Sequence, residues 1–342
     1  MSLLARTISA IIIAAICSNA ALALPRAGEV IVEHDSIKLV GTLAVPADNA
    51  PQAVIVFATG SGPQDRDETI LGHKPFRAIA DSLAAHGYAS LRLDDRGAGM
   101  SSPASGSETT DDFAADISAA IDYVSGIYGP DTPVGIIGHS EGGSIAMRLG
   151  AARKCRFIIT LAAPAFKGDS VLIRQARELL ENTGMKAQFE ASWPEIRERY
   201  NTIMMPGNAS LLKVQLFARM MRLHPEYAAI PQVQQNVRRE LDMMTSPWYR
   251  AFLRFDPSDC IAAMEGLPWL AINGSIDRQV TVDNLDRIKM LCPSAHTVAL
   301  DSINHIMLKG VTGLPAEYDG LSGDIDPAVI DTIITWLNAT TL

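Results

Sequence analysis

The sequence predicts an α/β fold: a mostly parallel sheet flanked by helices, broken by one helical insertion. Three observations predict it. Short continuous apolar runs such as Val54–Ala58 and Phe157–Leu161 have the form of strands buried on both faces. Segments with helical spacing alternate with them, as crossover connections in a parallel sheet require. The alternation stops over residues 165–255 and then resumes.

Val30–His34 and Lys38–Val45 alternate in polarity and end at Pro46, the pattern of an antiparallel pair. Val54–Ala58 stops at Thr59-Gly60-Ser61-Gly62-Pro63, a strong turn signal. Pro75–His86 places Phe76, Ile79, Ala80 and Leu83 on one helical side, and Gly87 ends it. Ala89–Leu93 reads as a strand, Asp111–Ser125 as a helix with an acidic start, Val134–Ile137 as a buried strand and Gly143–Arg153 as the helix after it. Phe157–Leu161 closes this half. Residues 165–255 contain no strand pattern, while Ser170–Glu181 and Leu211–Arg222 have helical periodicity. Seven methionines fall in this block (185, 204, 205, 220, 221, 243 and 244), a choice that suits either core or an adaptable apolar pocket. Trp269–Asn273, Val282–Lys289, Thr297–Leu300 and Pro327–Asn338 then read as strand, helix, strand and closing helix. The division is a core of residues 24–164 and 256–342, with a helical cap over 165–255.

The chain has 342 residues, 48% of them apolar, with 29 Lys and Arg against 38 Asp and Glu. That balance excludes intrinsic disorder and a disulfide-dense mini-scaffold. A net charge of −9 argues against nucleic acid as a partner, because phosphate contacts need a basic footprint.

The first 23 residues read as a secretory signal peptide. Arg6 precedes an apolar run over Ile8–Ile16, and Ala21-Leu22-Ala23 has the small-x-small form cut by a signal peptidase; a rival cut follows Ala20. The apolar run is shorter than the ~20 residues that span a bilayer, so no stable membrane anchor is expected after cleavage. The product is then periplasmic or secreted. Of four cysteines, Cys155, Cys260 and Cys292 lie beyond the signal, and export permits a Cys260–Cys292 disulfide. No Cys-x-x-Cys or His-x-x-x-His spacing supports a structural zinc site.

Gly138-His139-Ser140-Glu141-Gly142 fits G-x-S-x-G between a buried strand and a helix, the context of a nucleophile elbow. Flanking glycines let backbone pass close to a strained nucleophile, and the following helix N-terminus favours developing negative charge. A serine hydroxyl needs a base, and the base needs an orienting carboxylate. In such sheets the partners follow in the order Ser, acid, His. His305 lies just past the strand Thr297–Leu300, whereas His296 precedes that strand and reads as structural. Asp277 lies just past Trp269–Asn273, with Asp283 and Asp301 as alternatives. All three roles then fall at C-terminal strand ends, where open α/β sheets hold their sites. Oxyanion donors are expected from the backbone N–H of Glu141 and of Ser61, with Gly60 and Gly62 as alternatives for the second. His139 reads as a packed, hydrogen-bonded elbow residue pointing away from the hydroxyl, and Asp65-Arg66-Asp67 as a charge-paired loop brace.

With these residues in place, the chain resembles an α/β-hydrolase. Asp94-Asp95-Arg96-Gly97-Ala98-Gly99-Met100-Ser101 resembles the D-x-R-G-x-G-x-S turn of many members, in which the arginine braces the loop. More narrowly, Gly60–Asp67, Gly138–Gly143, Ser246-Pro247-Trp248-Tyr249 with Asp256-Pro257, and Thr312–Tyr318 resemble EstD-like bacterial carboxylesterases, which are often described as serine-aminopeptidase-like hydrolases. The resemblance implies a helical cap and an esterase of short acyl chains, with the triad on Ser140, Asp277 and His305. Ala58-Thr59-Gly60 departs from the His-Gly that many α/β-hydrolases carry at the second oxyanion donor.

The expected reaction is hydrolysis of a small-molecule carboxylic ester through an acyl-enzyme, with no metal or organic cofactor required. An aminopeptidase or amidase is the rival, and would need cap carboxylates such as Glu181, Glu190, Glu195 or Glu198 to hold a substrate amine. A non-catalytic binding protein on the same scaffold is the other rival. Oligomeric state is left open by the sequence.

Overall fold

The computed structural model describes residues 26–47 and 50–342. The signal-peptide expectation therefore lies outside the described residues. Eight strands form one sheet: β1 (Arg26–His34), β2 (Ile37–Val45), β3 (Val54–Ala58), β4 (Ala89–Leu93), β5 (Val134–His139), β6 (Phe157–Leu161), β7 (Trp269–Gly274) and β8 (His296–Leu300). Their order is β1-β2-β4-β3-β5-β6-β7-β8. β1 and β2 form an antiparallel hairpin, with His34 opposite Ile37 and Asp35 turning at φ 50°. β2 runs antiparallel to β4, and every pairing from β4 to β8 is parallel.

Strands β3 to β7 are buried throughout, which explains their unbroken apolar runs. One face packs on α2 (Thr110–Tyr128), α3 (Glu141–Ala151), α9 (Ser258–Ala263) and α10 (Asp283–Leu291), through Ile117, Ile145, Ile261 and Ile288. The other packs on α1 (Pro75–Ala85) and α11 (Pro327–Ala339), through Phe76, Ile79, Val329 and Ile333. Thr109 and Asp112 form a reciprocal capping box at the start of α2, which satisfies donors a helix N-terminus leaves open.

Between β6 and β7 the chain runs through α4 (Gly168–Asn182), α5 (Lys186–Met204), α6 (Ala209–Leu223), α7 (Pro231–Met244) and α8 (Pro247–Arg254). These helices have a core of their own, with Ile203, Leu216, Leu241 and Leu253 at its centre. Met220 and Met244 join that core, while Met205 and Met243 are exposed.

Two expectations are corrected. The helix after the elbow starts at Glu141 rather than near Gly143, so the turn is tighter than the pair of glycines suggests. Cys155, Cys260 and Cys292 are all free thiols, so Cys260 and Cys292 do not pair. Cys292 is in the core beside Ser294 Oγ at 3.5 Å, whereas Cys260 packs at the core's edge from α9. Among the described residues no helix is long and apolar enough to cross a membrane.

Candidate active site

The site is built at the C-terminal ends of β3, β5, β7 and β8. Ser140 holds φ 52° and ψ −117° between β5 and α3. A non-glycine residue pays for that conformation, and it persists because the surroundings over-determine it. The Ser140 N–H donates to the Leu161 carbonyl at 2.9 Å. Gly142 passes so close to the Ala58 carbonyl that a Cβ has no room, and a Cβ on Gly138 meets the Gly142 carbonyl.

Ser140, His305 and Asp277 come together in one hydrogen-bonded line. Ser140 Oγ and His305 Nε2 are 3.2 Å apart, and His305 Nδ1 and Asp277 Oδ2 are 2.9 Å apart. With the imidazole proton on Nδ1, His305 donates to Asp277 and accepts from the serine hydroxyl. Asp277 Oδ1 accepts the backbone N–H groups of Gln279 at 2.8 Å and Val280 at 2.9 Å, which fixes the carboxylate. Asp277 is 2% exposed and His305 6%. The loop carrying His305 is held by Asn304, which exchanges hydrogen bonds with Leu308 at 2.9 and 3.1 Å. The alternative acids are occupied elsewhere. Asp283 accepts from Arg174 and Thr281, and Asp301 accepts from Ser275 and Ser302. His296 begins β8 and lies outside the cavity lining.

The donors expected for an oxyanion differ in availability. Glu141 is the first residue of α3, so its N–H has no carbonyl one turn back. The Gly60 N–H is already given to Glu68 Oε1 at 2.6 Å, which leaves Ser61 and Gly62 as candidates for the second donor. The loop 59–64 is pinned by Asp95, whose Oδ2 accepts from Thr59 Oγ1 at 2.7 Å and from the Gln64 N–H at 2.9 Å. Burial pushes the Asp95 carboxyl up to about 7, with the Thr59 and Gln64 bonds opposing it and Glu68 and Asp116 adding to it. Arg66 clasps Asp94 at 2.8 and 3.0 Å, and Asp67 pairs with Arg92, so this run does brace the loop. Arg96 clasps Asp116 at 2.6 and 2.7 Å.

Ser140 and His305 open on a cavity of about 360 Å³. Its apolar wall includes Ile70, Val171, Leu172, Trp248, Phe252 and Ile306, and Gln64, Gln175 and Gln279 supply polar positions. Val171 and Leu172 come from α4, and Trp248 and Phe252 from α8. Among the described residues no methionine lines it. Sequence reasoning missed two buried acids in the lining. Glu68 is 1% exposed and bonded to His139 Nδ1 at 2.9 Å. The Glu141 side chain accepts from Thr110 Oγ1 at 2.6 Å and from the Trp248 indole. No spacing signal marks either carboxylate as buried. The four cap glutamates suggested for amine binding are absent from this lining; Glu181 pairs with Lys186, Glu195 with His224 and Glu198 with Arg219. Among the described residues no group of three or more His, Cys, Asp or Glu is arranged to hold a metal ion.

A family model described as serine aminopeptidase, S33, matches residues 73–238, which takes in the elbow but neither Asp277 nor His305. Esterase EstD of Thermotoga maritima is 24% identical over 309 residues, covering 87% of this chain. The chain spans 65% of the length of that relative. An esterase of Pyrococcus furiosus has a similar structure, with a TM-score of 0.55 and 14% identity over 92% of this chain and 91% of the other. So has a thermophilic esterase from Thermogutta terrifontis, at TM-score 0.52 and 16% identity over 92% and 98%. The chain has the α/β-hydrolase fold, and its sequence resembles EstD along most of its length.

Proposed function

We propose that the protein is a serine hydrolase that cleaves small carboxylic esters through an acyl-enzyme. The observation that carries this reading is the bonded line Ser140–His305–Asp277 opening on a partly apolar cavity. Ser140 Oγ attacks the ester carbonyl carbon while His305 Nε2 takes the hydroxyl proton. The imidazolium so formed is steadied by Asp277. The N–H groups of Glu141 and Ser61 receive the oxyanion, each donor worth roughly 10²–10³ in rate. His305 then gives its proton to the leaving alkoxide, and the alcohol departs. Water, deprotonated by His305, attacks the acyl-serine; the carboxylic acid leaves and Ser140 regains its proton.

The cavity size and its aliphatic and aromatic wall favour short to medium acyl chains. An amidase shares this chemistry, but the Glu141 carboxylate and Glu68 Oε1 already hold donors from the protein, which leaves a substrate amine only the buried Glu68 Oε2. Export to the periplasm or medium is part of the proposal and is supported by the sequence of residues 1–23. The test is a panel of p-nitrophenyl acyl esters and aminoacyl anilides on wild type and Ser140→Ala. Ester turnover that disappears in Ser140→Ala is expected; turnover that survives it defeats the reading.

A further inference from the structure

His139, the residue before Ser140, is buried, and both of its ring nitrogens are engaged. Nδ1 faces Glu68 Oε1 at 2.9 Å, and Nε2 faces the backbone carbonyl oxygen of His305 at 2.8 Å. A backbone carbonyl and an ionised carboxylate only accept, so a ring that serves both beside an ionised Glu68 must carry two N–H groups, whereas a neutral imidazole carries one. Burial pushes this imidazole down; the Glu68 carboxylate, the His305 carbonyl and Asp277 push it up, and the net direction is up. The His305 ring is its other titratable neighbour, 4.9 Å away between centroids. Glu68 Oε1 also takes the Gly60 N–H, while its Oε2 is buried without a hydrogen-bond partner. Glu68 holds φ 52°, a left-handed conformation that a glutamate adopts at a cost.

We propose that Glu68 and His139 are positioning residues for the reaction at Ser140, an inference that rests on the hydrolase reading above. Together they join the three loops that carry the chemistry. Glu68 orients the Gly60–Ser61 turn, His139 belongs to the elbow itself, and its Nε2–H holds the backbone of the residue that supplies the base. The pair works as a doubly donating imidazolium against one carboxylate. Losing the charge on Glu68 leaves His139 with a single N–H, so one of its two contacts becomes a lone pair facing an acceptor.

Glu68→Gln keeps an oxygen for the Gly60 N–H and removes the charge. Its expected effect is a kcat for a short p-nitrophenyl ester lowered about 10- to 100-fold with KM changed little, the signature of misplaced groups rather than lost binding. Labelling of Ser140 by a fluorophosphonate should slow by a similar factor. Nitrogen-15 spectra of histidine-labelled wild type at pH 8 should show one buried ring protonated at both nitrogens, and Glu68→Gln should lose that signature. A folded Glu68→Gln protein with wild-type kcat overturns the inference. So does a wild-type spectrum at pH 8 without a doubly protonated ring, which decides the matter if the variant does not fold. Wild type that the fluorophosphonate fails to label removes the hydrolase reading itself, a result distinct from these two.

Discussion

The indole N–H of Trp248 donates to the carboxylate of Glu141, at 2.9 Å to one oxygen and 3.1 Å to the other. Helix α8 is thereby bonded to the residue that directly follows Ser140. Trp248→Phe keeps the ring stacked on Phe252 but leaves a carboxylate that is 4% exposed with only Thr110 as side-chain donor. Hydrogen bonds to charged groups are worth roughly 1.5–3 kcal/mol, and Trp248 is half-buried, so about 1–2 kcal/mol is expected here. The variant should melt a few degrees lower and lose about tenfold in kcat/KM for a p-nitrophenyl ester. Thermal melts and initial rates check this, and unchanged values for both contradict it.

Asp277→Asn presents an amide to His305 Nδ1 and favours the tautomer with its proton on Nε2, facing Ser140. That tautomer cannot accept the serine proton. A fall in kcat of about 10³–10⁴ is expected, with the fold retained. Asp283→Asn and Asp301→Asn, whose carboxylates hold other partners, should stay within a few-fold of wild type. Steady-state kinetics on the three variants distinguish the acid from its neighbours.

Asp95 sets a pH dependence of stability. Its carboxyl is pushed up to about 7 in the folded protein, against 3.8 as its ordinary value. Between those values the folded protein keeps a proton that the unfolded chain has lost, so stability falls as pH rises through that window. His139, also raised, adds a decline of the same sign at higher pH. Asp95→Asn should therefore melt higher than wild type at pH 8, by about 3 °C or more, with the gap closing by pH 5. A gap of the same size at both pH values contradicts the assignment.

The thiols offer a covalent check. Burial pushes the Cys155 thiol up to about 12, while Cys260 is only half-buried. Iodoacetamide on native protein at pH 8 should modify Cys260 first and leave Cys155 nearly untouched, because the thiolate is the reacting form. Peptide mapping without reductant should find Cys260 and Cys292 unlinked. A linked peptide contradicts the structure.

The line of Ser140, His305 and Asp277 is legible in the sequence because each member follows an apolar run, and β5, β7 and β8 carry those runs into one sheet. The elbow is written in glycines whose missing side chains the structure needs at Gly138 and Gly142. His139 was rightly read as packed, yet its partner was invisible. Glu68 sits 71 positions upstream in a polar loop, where nothing in the local pattern separates a buried acid from a solvated one. The Cys260–Cys292 expectation failed for a related reason: compartment chemistry says a bridge is permitted, but only packing brings sulfurs within bonding distance. Trp248 belongs to the Ser246–Tyr249 stretch that carries the resemblance, but its bond to Glu141 appears only in three dimensions.

Helices α4 to α8 leave from β6 and return to β7, two strands that are direct neighbours in the sheet. Topologically the excursion hangs from a single doorway. Its length and contents can change without breaking one ladder rung between those strands, and Ser140, Asp277 and His305 all sit on the threshold side. The residues of the bonded line and most of the helices that wall the cavity are thus written in separable stretches of chain, and a graft exchanging residues 168–245 for another helical segment, with α8 and its Trp248 retained, should alter the cavity wall while leaving Ser140, His305 and Asp277 in line.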